Sequence, residues 1–143
     1  MIDINYSLRT AYYTALSGIA GVPVFYNMVP PMVSPTDYIV FRSITNSDAS
    51  TMNSSDTDTQ ITVEIQTFED GLNSGLSADM IAREVFNRIL PNPGATLTLD
   101  GAQMVSTRLL NDITQPPVAQ GNRMYVSRFL TFGHKIFHRS DIS

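Results

Sequence analysis

The chain contains no cysteine. That excludes disulfides, thiolate metal centres and cysteine nucleophiles in one step, and it is compatible with a reducing cytoplasm. Charge is also scarce. Asp, Glu, Lys and Arg make up 15% of the 143 residues, and the formal net charge is −4. A protein that coats nucleic acid needs a basic surface to replace counterions, so a general coating role is not expected, while a local basic patch stays open. Lys135 is the sole lysine among nine basic residues; the others are arginines, which suit planar, bidentate pairing. No apolar run approaches the ~18–20 residues of a membrane helix. The start, Met1-Ile2-Asp3-Ile4-Asn5-Tyr6, lacks the basic and apolar regions of a signal peptide, and none is expected. There is no glycine-rich phosphate loop, nucleophile elbow or paired-carboxylate motif. No catalytic residue, cofactor or metal is therefore expected.

What the chain does have is 43% hydrophobic residues, and a length that buries roughly 68–70% of the unfolded surface in one core. The expectation is a single domain over residues 1–143. Its most informative stretch is a pair of strand-like runs, Tyr38 to Thr45 and Gln60 to Phe68. In the second run Ile61, Val63 and Ile65 alternate with Gln60, Thr62, Glu64 and Gln66, which predicts one buried and one polar or partner-facing sheet face. A one-residue slip would invert that pattern, so the register is firm. Between the runs lies a polar tip, at about 46–58, whose one large apolar residue is Met52. A hairpin needs two to five loop residues, and longer loops serve partners or stay disordered.

The remaining segments complete the outline. Leu8, Tyr12, Ala15, Leu16 and Ile19 fall at helical spacing; the helix runs from Tyr6 to Ser17, capped by Asn5 or Ser7 and ended by Gly18. Val24-Phe25-Tyr26 reads as a short strand, placed at a sheet edge by Pro23. A second helix, capped by Ser74 or Ser77 and running to about Leu90, buries Ala78, Ile81, Ala82, Val85 and Ile89. The last third reads as strands: Thr96 to Leu99 before the Asp100-Gly101 turn, Gln103 to Leu110, and Met124 to Phe132. Val126, Leu130 and Phe132 share one face of that final strand. Tyr125, Ser127, Phe129 and Thr131 share the other. A flexible tail is expected at about 134–143. The fold class is α+β: a mostly antiparallel sheet with a long β-hairpin and two helices packed on one face.

Isolated candidates for chemistry read as structural. His134 and His138 have the spacing of metal ligands on a helix, but Lys135 and Arg139 crowd them with positive charge, and a solvated tail is expected. Asp48, Asp56 and Asp58 lack the glycine and distal Glu of a calcium loop. Glu64 has no sequence partner for general-base work. Arg42, Arg108, Arg123 and Arg128 are scattered surface charges, or a group that pairs with carboxylates across a subunit boundary.

In order of elements and residue character, nearly the whole chain resembles the tail-terminator, or tail-completion, proteins of tailed bacteriophages. The resemblance rests on the opening helix with Leu8, Ala11 and Leu16, on Pro23-Val24-Phe25 and on Pro35-Thr36-Asp37-Tyr38-Ile39-Val40-Phe41. It continues through the strand Thr59 to Phe68, the helix Ala78 to Leu90, Ser106-Thr107-Arg108 and Tyr125-Val126-Ser127-Arg128-Phe129. It implies a non-enzymatic virion protein of the tail and neck, assembled in the host cytoplasm. Such a protein forms a homo-oligomeric ring, commonly a hexamer, on the head-proximal end of the tail tube. The ring stops tube polymerisation and presents a surface to the head–tail connector protein. Double-stranded DNA passes through the channel without sequence-specific binding, and no membrane is involved. The family's hairpin contacts map onto Asn46, Ser47, Asp48, Ser50, Thr51, Met52, Asn53, Ser54, Ser55 and Asp56. Arg42, Arg108, Arg128, Tyr125 and Phe129 complete the candidate assembly interface. Another neck, connector or tube subunit is the nearest alternative, and a small ligand-binding domain is the next.

Overall fold

A computed structural model of the chain describes residues 4–19, 21–27, 37–48, 56–69, 76–92, 94–120 and 123–138. The elements are α1 (Asn5–Leu16), β1 (Val24–Tyr26), β2 (Tyr38–Asp48), β3 (Asp56–Glu69), α2 (Leu76–Ile89), β4 (Ala102–Thr114), β5 (Val118–Gln120) and β6 (Arg123–His138). The fold is α+β, as the apolar periodicities require.

The alternation in β3 sets the architecture. Ile61, Val63 and Ile65 are fully buried on the central strand of a sheet ordered β1-β2-β3-β6-β4, with β5 against β6. Opposite Ile61 and Val63 on β6 stand Phe132 and Leu130, and opposite Val63 and Ile65 on β2 stand Phe41 and Ile39. All four neighbours are fully buried. Two helices close this face. α1 contributes Leu8, Tyr12 and Leu16, and α2 contributes Ala78, Ala82, Val85 and Ile89. Burying an aliphatic side chain of this kind contributes roughly 1.5–3 kcal/mol, so this layer dominates stability. All pairings are antiparallel except β1 with β2, where Val24–Tyr26 lies at the edge as Pro23 suggests.

Several boundaries differ from expectation, each for a physical reason. β2 and β3 extend into the polar tip: Asn46, Ser47 and Asp48 pair with Thr59, Asp58 and Thr57. A β-bulge between Arg42 and Thr45 shifts the register, turning Asn46 onto the helix face. There it donates to Asn5 Oδ1 at 2.7 Å and accepts from the Thr59 hydroxyl at 2.8 Å. The part of the tip at 49–55 lies outside the described residues. β6 does not end at Phe132 but runs to His138, because β3 and β4 flank it along this length. His134, expected in a solvated tail, is 3% exposed, and Ile136 is fully buried.

The segment 95–99 takes no ladder bonds. It lies against the core through Leu97 and Leu99, and the Ser7 hydroxyl donates to the Asp100 carbonyl at 2.7 Å. Ser7 is therefore not the helix cap; that position is Ile4, without a side-chain bond. Gly18 follows α1 at φ +82°, a left-handed conformation that glycine adopts without strain. For α2, the Ser77 N–H donates to Glu69 Oε1 at 2.7 Å. A carboxylate from the end of β3 thus satisfies a helix-start donor and complements the helix dipole.

Candidate assembly surfaces

The strand face away from the helices carries a connected set of polar groups. The diagonal neighbours Arg42 and Glu64 form an ion pair. Gln66 Nε2 donates to the other Glu64 oxygen at 2.5 Å, and Gln66 Oε1 accepts from the Ser127 hydroxyl at 2.8 Å. Thr62 and Thr131 bond across β3 and β6 at 3.1 Å. Both oxygens of Glu64 are thus engaged, one across to β2 by Arg42 and one along β3 by Gln66. An aromatic group adjoins this ladder. Tyr125 packs on Phe68 with centroids 5.1 Å apart, and Tyr38 packs on Phe25 at 6.3 Å. Burial, and then a hydrogen bond with Tyr125, hold the Tyr38 phenol well above its ordinary pKa.

Arg128 lies on the helix side of β6. Its Nε and Nη2 donate to the two Asp112 oxygens at 3.0 and 2.7 Å, and Nη1 donates to Asp79 at 2.9 Å. The bidentate Asp112 contact is foremost in raising the Arg128 pKa. This fork joins the edge strand β4 to the first turn of α2. Arg42 and Arg128, considered from sequence for pairing across a subunit boundary, are both paired with carboxylates of their own chain. The Arg108 side chain makes no hydrogen bond or ion pair among the described residues. It borders a groove of ≈ 450 Å³ on the open face together with Gln60, Leu110, Gly133 and Lys135. Leu110 packs over Gly133, where a Cβ would lie 2.9 Å from Leu110 Cδ1.

A second polar group is buried beneath α1. The Tyr12 hydroxyl bonds His134 Nε2, and His134 Nδ1 lies 2.9 Å from the Thr107 hydroxyl, which is 3.2 Å from Met104 Sδ. One proton arrangement satisfies all of them. Tyr12 donates to Nε2, Nδ1–H donates to Thr107, and Thr107 donates to the sulfur. Histidine is then neutral. Burial lowers its pKa to about 4 and raises that of Tyr12. The 134/138 spacing in sequence gave no sign of this, because the partners are 122 and 27 residues away.

A long exposed stretch among the described residues was not singled out from sequence. The described residues from Arg108 to Ala119 are all exposed. They include Leu109, Leu110, Ile113 and Val118, at 38–60% exposure. Ile113 stands opposite the half-buried Phe129, so that candidate adjoins the exposed rim. The tip candidates Ser50, Thr51, Met52, Asn53, Ser54 and Ser55 lie outside the described residues. Among the described residues no His, Asp and Glu side chains converge as a metal site, and no helix is long and apolar enough to cross a membrane.

No protein-family model matches the chain, and no curated protein matches it. Solved structures do. A chain from the virion of a native gene transfer agent particle is 20% identical, with a TM-score of 0.71, over 96% of this chain and 99% of that one. A second solved chain is 14% identical, with a TM-score of 0.53, over 90% of this chain and 94% of that one. These likenesses show that the fold recurs over essentially the whole length.

Proposed function

We propose that the chain is a non-enzymatic structural subunit of a phage-type virion. Copies of it close into a ring, commonly of six, on the head-proximal end of the tail tube. The ring stops tube growth and joins the tail to the head connector, with double-stranded DNA passing through its bore. The observation that carries this reading is the end-to-end likeness to a chain from a gene transfer agent virion. The sheet is compatible with it. The Glu64 and Arg128 networks tie strands and helix together within one chain, while an apolar rim along β4 is left for contacts between chains. The hairpin tip and the rim are the proposed assembly surfaces, and the role is in the tail or neck of the virion.

The test is light scattering and electron microscopy of the purified protein with and without tail tubes. Rings that sit at one tube end and arrest growth are expected. A chain that stays monomeric and leaves tubes uncapped would refute the proposal, and filaments would identify a tube subunit instead.

A further inference from the structure

The sheet has two open edges, and they differ. On one side β1 covers β2 only from Ile39 to Phe41, and Asn27 N–H closes on the Phe41 carbonyl. Among the described residues no strand lies outside Arg42 to Asp48. On the other side no strand lies outside β4 from Met104 to Thr114 among the described residues. Pro116 and Pro117 follow, without an N–H to offer a partner strand, and interrupt this edge before the short β5. An open edge with exposed apolar residues is a template for another strand. Val105, Leu109, Leu110, Ile113 and Val118 are each 38–60% exposed, and Ile113 and Val118 lie on the open face opposite Phe129 and Tyr125.

We propose that β4 of one copy pairs with the free stretch of β2, Arg42 to Asp48, of the next copy. The inference rests on the ring reading above and deepens it by assigning the contact. Strand direction supports this choice of occupant. β2 to β3, β3 to β6 and β6 to β4 are three successive antiparallel steps, so β4 runs opposite to β2. Rotation about an axis roughly along the strands preserves their direction. β4 of one copy therefore meets β2 of the next as an antiparallel pair, the commoner and slightly more stable kind. Each copy uses one edge of each sort, the head-to-tail arrangement from which rings close. Two-fold pairing of β4 with β4 would instead stop at a dimer and leave both β2 edges open.

The experiment uses the full chain, which has no native cysteine to interfere. The double variant Ile113→Lys, Val118→Lys changes two exposed side chains. It should keep the wild-type circular dichroism and thermal midpoint, while its mass by light scattering falls from that of a ring to that of one chain. Separately, Arg42→Cys is co-expressed with Arg108→Cys, Asn111→Cys or Ile113→Cys, all on the open face. Mild oxidation should give a mixed disulfide dimer from at least one combination, and none from any variant alone. If the double-lysine variant still forms rings, the edge assignment is wrong and the ring reading survives. If Ile113→Cys alone cross-links, the contact is two-fold and the assignment is wrong. If the wild-type chain is monomeric at all concentrations and leaves tail tubes uncapped, both readings fall.

Discussion

Acidification should destabilise the subunit through one side chain. His134 is 3% exposed, and burial lowers its pKa to about 4, whereas an unfolded histidine titrates near 6.5. The neutral ring accepts from Tyr12 and donates to Thr107, so a proton on Nε2 would break the first bond and place a charge under α1. The folded pKa is the lower one. Between the two values the unfolded chain binds more protons, and stability rises with pH. The contribution is complete above about pH 7, falls as pH drops through 6.5, and levels off near the folded value of about 4. Between pH 7 and pH 5 the two pKa values give a loss of about 2 kcal/mol, at 1.36 kcal/mol per unit. Urea unfolding at one fixed protein concentration measures it, since concentration itself shifts the stability of an oligomer. His134→Gln should lower stability at pH 7 by leaving buried donors poorly matched, but it should flatten the dependence between pH 7 and 5. His138→Gln should keep it. A wild-type chain equally stable at both pH values would refute the argument, as would an unchanged slope in His134→Gln.

Val63 is fully buried at the centre of β3, so Val63→Asp should remove more than ~4 kcal/mol and leave no cooperative unfolding transition; a folded variant would show that the core layer is misplaced. Arg128→Met abolishes contacts to Asp112 and Asp79, which stay 31% and 63% exposed; it should cost only about 1–2 kcal/mol by urea midpoint. Gly133→Ala places a Cβ against the end of Leu110, which is 40% exposed and free to swing outward; a loss under ~1 kcal/mol is expected, and a larger one would show that Leu110 is held. Replacing residues 49–55 by an Asn-Gly turn should leave the subunit folded while impairing tube capping; normal capping with the short turn would reduce the tip to a spacer.

The parts of the fold legible in the sequence were those written as local periodicity. Ile61, Val63 and Ile65 announce their face by strict alternation, and Leu8, Tyr12 and Leu16 announce theirs by helical spacing. The end of β6 was not legible, because His134, Lys135 and Phe137 resemble a polar tail until β3 and β4 are seen on either side. The start of α2 was not legible either: Glu69 reads as the first residue of a turn, and its carboxylate becomes a helix cap only once β3 brings it to Ser77. The strand expected at 96–99 has the right alternation but no neighbour to bond. Of the assembly candidates, Arg42 and Arg128 were visible as charges but not as paired charges. Their partners Glu64 and Asp112 lie 22 and 16 residues away.

That redistribution of charge changes what an interface on this chain can be made of. A planar guanidinium engaged on both oxygens of a carboxylate is already satisfied. Freeing Arg128 for a neighbour would strand Asp112 and uncouple β4 from α2. Arg42 differs: it contacts one oxygen of Glu64 and its side chain stays 39% exposed. The exposed rim carries no such conflict. Its outer N–H and C=O groups are not needed within the subunit, and its apolar side chains lose only contact with water when covered. On the pairing proposed above, the backbone edge of β4 recognises the neighbour, and specificity comes from strand direction rather than from matched charges.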